Sequence, residues 1–324
     1  MSAHPPFLEF FVEPNDDGRA LARILRQRWH LSRTLLRRLK RDGAVHLNGR
    51  PVPLREPVRS GDRVAVFLPE GLASRVRAEP VPLSVVYEDA HVLVLDKPAG
   101  LLTHPARAEV SGTLANGVAQ YLVSRGDPPF VAPVNRLDRN TSGLVVFARH
   151  PHAHHMLSTQ LARGLLRRTY LAVVEGVVKN DNGVVDAPIR RVPGETSRRE
   201  VGPGGQPAVT RYRVLARTRP GRRGSEPLEP DSRETGLAAT ILEVNLETGR
   251  THQIRVHLAH LGHPLLGDGL YGKTIPGVAE RQALHAARVE FPHPADGRRM
   301  RFESPLPADL AELLVFLGLP SPVN

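Results

Sequence analysis

An aspartate stands between two arginines in Asn135-Arg136-Leu137-Asp138-Arg139-Asn140-Thr141-Ser142-Gly143. Neighbouring positive charge favours the ionised form of a carboxyl group. An ionised carboxylate held in a cleft can serve as a nucleophile or a general base. Thr141, Ser142 and Gly143 bring turn chemistry that would fix its direction. The same residue types also make an ordinary turn cap beside surface ion pairs, which contribute little. Residue types alone leave both readings standing.

Two further segments carry polar groups at informative spacing. In Thr251-His252-Gln253-Ile254-Arg255-Val256-His257-Leu258-Ala259-His260-Leu261-Gly262-His263-Pro264, Thr251 is positioned to cap a helix that Gly262 and Pro264 end. Ile254, Leu258 and Leu261 then share one face, leaving His252, Arg255 and Ala259 on another, with Arg255 free to reach a carboxylate. The histidines here scatter around the helix without an HExxH arrangement, so no metal site is expected. The patch His150, His152, His154 and His155 reads as an exposed helix face. In Arg168-Thr169-Tyr170 the arginine and tyrosine point to the same side of a strand. Such a tyrosine is either core packing or a platform for an unstacked base.

These residues need a scaffold, and its texture changes along the chain. Leu21, Ile24 and Leu25 share a helical face, and Ser32 can cap a second helix. There Leu35, Leu36 and Leu39 face inward while Arg33, Arg37 and Arg41 form an outer stripe able to track a phosphate backbone. Asn48-Gly49 marks a hairpin turn, and 63–68 alternates as a strand. From Leu83 onward short strands are expected at 85–87, 91–95, 144–148, 169–174, 209–215 and 238–245. Helices are expected near 113–124, 152–162, 251–261 and 308–317. Irregular mixing of the two argues for an α+β class. The expected division is an N-terminal extension 1–18, a basic domain 19–68, a linker 69–82 and a body 83–324, with an exposed, mobile excursion at 216–237.

Composition supports this plan. The 324 residues are 40% hydrophobic and 24% charged, a globular balance. Zero cysteines exclude disulfides, thiolate metal sites and a cysteine nucleophile. No apolar run is long enough to cross a membrane, and the start lacks a signal-peptide plan, so a cytoplasmic location is expected. The net charge is +11, and residues 19–68 supply thirteen basic and three acidic side chains, about +10 of it. Charge this concentrated points to a polyanion-binding module on a nearly neutral body.

The basic stretch, with Ser32-Arg33-Thr34, Asp42-Gly43-Ala44-Val45-His46-Leu47-Asn48-Gly49-Arg50 and Gly61-Asp62-Arg63-Val64, resembles the alpha-L RNA-binding domain first defined in small-subunit ribosomal protein four. The three polar segments, in order, resemble the catalytic body of the RluA-type pseudouridine synthases. Asp96-Lys97-Pro98-Ala99-Gly100-Leu101, Gly262-His263-Pro264-Leu265-Leu266-Gly267-Asp268 and Arg281-Gln282-Ala283-Leu284-His285-Ala286 fit the same pattern. The resemblance implies a mixed, mainly antiparallel sheet crossed by a cleft. It implies Asp138 as the catalytic aspartate, Tyr170 against the target uracil, Arg255 paired with the carboxylate, and Arg136 holding the target base out of its stack. One departure is Asn135, where the family more often has histidine.

By that resemblance the protein isomerises uridine to pseudouridine in structured RNA, ribosomal RNA being favoured over transfer RNA. No cofactor, metal, membrane or required protein partner is expected. Two other classes share parts of the pattern: a catalytically silent RNA-binding factor, and a nucleoside hydrolase that releases free uracil.

Overall fold

The computed structural model describes residues 6–67, 76–106, 110–127, 129–218 and 237–322. Leu8 and Phe10 are buried and alternate with exposed Glu9 and Phe11, the period of a strand with one covered face. This strand, β1 (Leu8–Phe11), pairs with β4 (Arg63–Val66), so part of the segment expected as an extension is built into the small domain's sheet. The sheet runs β1-β4-β2-β3, with β2 (Val45–Leu47) and β3 (Arg50–Pro51) joined at Asn48-Gly49. Both turn residues have positive φ, as a tight hairpin requires. Helices α1 (Leu21–Gln27) and α2 (Arg33–Arg41) cover it, burying Leu21, Ile24, Leu25, Leu35 and Leu39. Ser32 caps α2, its Oγ accepting from Leu35 N at 3.2 Å.

Residues 68–75 and 219–236 lie outside the described residues, and with them much of the expected linker and excursion. The described end of the linker runs over α3 (Leu114–Ser124). A Cβ at Gly117 would come within 2.7 Å of Val81 O, so glycine is what lets chain and helix approach there.

The body is one ten-stranded sheet in the order β10-β13-β14-β9-β15-β8-β6-β5, with β7 on β8 and β16 on β15. Its members are β5 (Ser84–Glu88), β6 (Val92–Lys97), β7 (Ala132–Pro133), β8 (Ser142–Ala148), β9 (Arg167–Glu175) and β10 (Asn182–Asp186). The others are β13 (Val209–Arg217), β14 (Ala239–Leu246), β15 (Leu284–Pro292) and β16 (Arg299–Glu303). A separate hairpin, β11 (Ile189–Arg191) and β12 (Arg199–Val201), stands beside it. Every pairing in the large sheet is antiparallel except β8 with β15.

Every residue of β8 is buried, which explains its unbroken apolar run. Val145 and Phe147 face α3, while Val146 and Ala148 face α4 (Pro151–Ala162). Helix α6 (Ala308–Phe316) packs Leu310, Leu313 and Leu314 against Val173 and Ile241 on the other half of the sheet. The class is α+β.

The small domain meets the body through rings. Phe7 lies 4.9 Å from His150 and 6.3 Å from His152, centroid to centroid. His150 Nδ1 accepts from Ala153 N at 3.1 Å and so caps α4. Its Nε2 therefore carries the proton and donates to His91 Nδ1 at 2.9 Å. Half of the histidine patch forms a packed seam rather than an exposed helix face: His150 and His152 are buried, whereas His155 is exposed.

Candidate active site

Asp138 sits in the loop that feeds β8, and the backbone of that loop is fixed residue by residue. Asn135 is buried and stands in for a strand, donating Nδ2 to Leu144 O and accepting from Val146 N at 2.8 Å. Thr103 Oγ1 accepts from Leu137 N and donates to Leu137 O, both at 3.1 Å. Lys97 Nζ reaches Arg139 O at 2.9 Å, Arg281 Nη1 reaches Asn140 O at 2.9 Å, and Gln282 Nε2 reaches Thr141 Oγ1 at 3.3 Å. Gly143 closes the loop at φ 109°, with Ala286 O only 2.3 Å from where a Cβ would stand. Any side chain there would push β8 away from β15.

Lys97 is fully buried, yet all three ammonium protons have carbonyl partners, the other two being Pro98 O at 2.8 Å and Leu101 O at 2.7 Å. Burial pushes its amine down to about 7, opposed by the charge of Asp138.

Two adjoining cavities of about 580 and 510 Å³ meet at Asp138, and Arg136, His252 and Arg255 line both. Tyr170 and Arg168, from β9, line the larger one together, as their spacing implies. Burial raises the Tyr170 hydroxyl pKa, and the Arg168 charge beside it pulls the other way. The Arg168 side chain reaches Thr248 O at 3.3 Å. Arg136 is exposed and touches Thr251 Oγ1 at 3.4 Å across the cleft.

Arg255 lies on α5 (Gln253–His260) and is buried against Asp268, with Nε and Nη2 each 2.7 Å from a carboxylate oxygen. Its Nη1 is 3.5 Å from Asp138 Oδ2. The helix begins one residue later than the sequence implies: His252, not Thr251, is the N-cap, in the left-handed region at φ 59°. A non-glycine residue there is strained, and such strain persists where the surroundings over-determine it. Here they do. Tyr271 Oη accepts from Arg199 N at 2.9 Å, which leaves its proton for His252 Nδ1, also at 2.9 Å. The Tyr271 ring lies 5.1 Å from the Arg255 guanidinium carbon. Leu261 is 41% exposed and does not join the buried face expected for it.

Sequence reasoning thus brings Asp138, Tyr170, Arg255 and Arg136 to one cleft but does not single out Lys97, His252, Asp268, Tyr271 or Arg281. Asp268 had a readable sign: an acid after the apolar pair Leu265-Leu266, with no basic neighbour in sequence, needs a distant partner. Two other histidines in that stretch are structural: His257 bonds Thr210 Oγ1 and Ala187 O, and His263 bonds Glu175 O. Arg33, Arg37 and Arg41 are exposed on the small domain, Arg41 held by Asp42 through 2.6 and 3.1 Å contacts.

Known proteins resemble this chain in sequence and fold. Residues 91–260 match the RNA pseudouridylate synthase family, and residues 8–64 match the RluD ribosomal pseudouridine synthase N-terminal domain. The chain is 39% identical to the uncharacterized RNA pseudouridine synthase YhcT of Bacillus subtilis (strain 168), over 94% of this chain and 96% of that one. It is 40% identical to ribosomal large subunit pseudouridine synthase D of Pseudomonas aeruginosa, over 88% of each. The fold also matches human RNA pseudouridylate synthase domain containing 4, at a TM-score of 0.56 and 22% identity over 74% of this chain and 95% of that one. With a family match across half its length and relatives near 40% identity along most of it, the chain belongs to the RNA pseudouridylate synthase family.

Proposed function

We propose that the protein isomerises uridine to pseudouridine in large-subunit ribosomal RNA, with Asp138 as the catalytic group. The bond from C1′ of the ribose to N1 of uracil breaks, the base turns within the cleft, and a bond from C1′ to C5 replaces it. C5 loses a proton and N1 gains one, so the composition of the RNA is unchanged. The observation that carries this reading is the convergence of Asp138, Tyr170, Arg136 and Arg255 where the two cavities meet. Asp138 attacks the sugar or the base, Tyr170 lies against the uracil and assists removal of the C5 proton, and Arg136 holds the target base out of its stack. Arg255 orients the carboxylate.

Ribosomal RNA as the substrate rests on the names of relatives such as those of Pseudomonas aeruginosa and Nitrosomonas europaea, each a ribosomal large subunit pseudouridine synthase D. It also rests on the basic small domain, whose phosphate contacts help offset the few kcal/mol needed to extrude a base. That substrate makes the cytoplasm the working compartment. No described helix is long and apolar enough to cross a membrane.

Tritium release from RNA labelled at C5 of uridine tests the proposal. Wild-type protein is expected to release tritium from deproteinised large-subunit ribosomal RNA and to spare transfer RNA. Asp138→Ala should lose at least about 10³-fold in rate, the scale of removing a central catalytic group. Equal rates for the two proteins would take Asp138 out of the chemistry. Loss of RNA mass with free uracil in solution would make the protein a hydrolase.

A further inference from the structure

Beside the catalytic cleft the hairpin of β11 and β12 encloses a third cavity of about 370 Å³, lined by Arg190, Arg191, Arg199 and Arg250 together with Gly205 and Thr251. Among the described residues no carboxylate lines it. Arg190 is partly neutralised, its Nε 2.8 Å from Glu200. Arg199 spends one guanidinium nitrogen on the carbonyls of Thr196, Ser197 and Arg198, stiffening the hairpin turn. Among the described residues Arg250 uses only Nε, on Pro207 O at 3.0 Å, which leaves both terminal nitrogens. Arg191 is exposed and has no side-chain partner among the described residues. Three positive charges therefore remain over the pocket.

Glycine lets the backbone pack this closely. A Cβ at Gly205 would stand 2.7 Å from the Ile189 carbonyl carbon, and one at Gly202 would meet Arg190 Nε at 2.7 Å. The pit is also tied to the chemistry next door. Arg250 and Thr251 line both it and the larger catalytic cavity. The backbone N–H of Arg199 holds Tyr271 Oη, and that ring underlies Arg255.

We infer that this arginine-lined pit seats a phosphodiester of the RNA strand beside the target nucleotide. The inference rests on the reading of the substrate as RNA. Arginine forks suit phosphate oxygens better than any other side chain. A strand whose target base enters the cleft at Asp138 must carry its next phosphates along one wall, and the wall at Thr251 opens onto these guanidinium groups. The pit thereby fixes which nucleotide of the strand faces Asp138, a role separate from the more distant anchoring by the small domain.

The test reads binding of the full-length protein to a short uridine-containing RNA stem–loop, by fluorescence anisotropy across a range of potassium chloride. Arg191→Gln combined with Arg250→Gln should weaken binding several-fold and lower the slope of log affinity against log salt by about 1 to 2, one for each phosphate no longer neutralised. Arg299→Gln, an exposed arginine on β16, should leave the slope unchanged. A correctly folded double variant with wild-type affinity and slope would overturn the inference. Because the readout is binding, a wild-type protein that releases no tritium refutes the isomerase reading without touching this result. Unaltered binding by the variant, in turn, leaves the isomerase reading intact.

Discussion

Arg255 gives its two strongest contacts to Asp268, both at 2.7 Å, and approaches Asp138 with its remaining nitrogen at 3.5 Å. The arginine at the cleft is thus half of a buried ion pair before any substrate arrives. Asp138 faces a guanidinium already oriented and partly neutralised by a carboxylate behind it, which also accepts from Leu270 N and Tyr271 N. Asp268→Asn strands the Arg255 charge in a buried setting, and breaking such a pair costs about 3–5 kcal/mol. Urea unfolding should show that loss, with tritium release falling alongside it. A variant as stable as wild type would mean that Arg255 has another home.

Lys97 makes a prediction about pH. Its folded pKa, about 7, lies below the ordinary lysine value of 10.5. Between those values the unfolded chain holds a proton that the folded chain lacks, so stability rises with pH across that window and the cost is greatest below it. The slope is at most about 1.4 kcal/mol per pH unit. Lys97→Met removes this slope, which unfolding free energies at several alkaline pH values will reveal. It also leaves the carbonyls of Pro98, Leu101 and Arg139 unmatched, so turnover should fall even where the protein remains folded.

The basic stripe on α2 is uneven. Arg33 and Arg37 are exposed, whereas Arg41 grips Asp42. Arg33→Gln with Arg37→Gln should lower the salt slope of RNA binding by about 2, and Arg41→Gln by less than either single change. An Arg41 effect as large as that of Arg37 would show that RNA displaces Asp42.

The ring seam between small domain and body is sensitive to acid. Burial pushes His152 down to about 4 and His150 well below its ordinary value, with neighbouring His91 and, for His150, Arg149 adding to the shift. His91 is lowered as well, despite the opposing charge of Asp89. The unfolded or undocked chain takes up these protons first. The seam is therefore at full strength above about 6.5 and weakens as pH falls, His152 contributing up to about 1.4 kcal/mol per unit on the way to about 4. Limited proteolysis near residue 76 at pH about 7 and about 5 should show faster cutting in acid, and His152→Gln should reduce the difference.

Much of the cleft was legible because its residues lie within short, self-consistent segments. Arg168 and Tyr170 share a strand face, and strand period alone puts them on one wall. The α2 cap at Ser32 and the turn at Asn48-Gly49 are equally local. What escaped depends on distance. Lys97 and Arg139 are far apart in sequence, and nothing in either segment says that an ammonium will replace water for that carbonyl. His252 defeats helix-capping rules because Tyr271 and the cleft walls hold it in a conformation its own preferences oppose. The strand at 8–11 escaped because it is short and finds its partner only across the small domain.

The parallel contact of β8 with β15 bears on how the enzyme is made. Ser142 and His285 touch although they are 143 positions apart. Closing so long a span is slow, and chains leave the ribosome amino-terminus first. The small basic domain, with its own apolar core, can therefore form while Asp138 still belongs to a loose loop. Arg281, Gln282 and the β15 backbone arrive late, and with them the clamps on Asn140 and Thr141. A chain cut short before β15 would lack the contacts that fix the loop of Asp138, so synthesis must pass that strand before the cleft can take its shape.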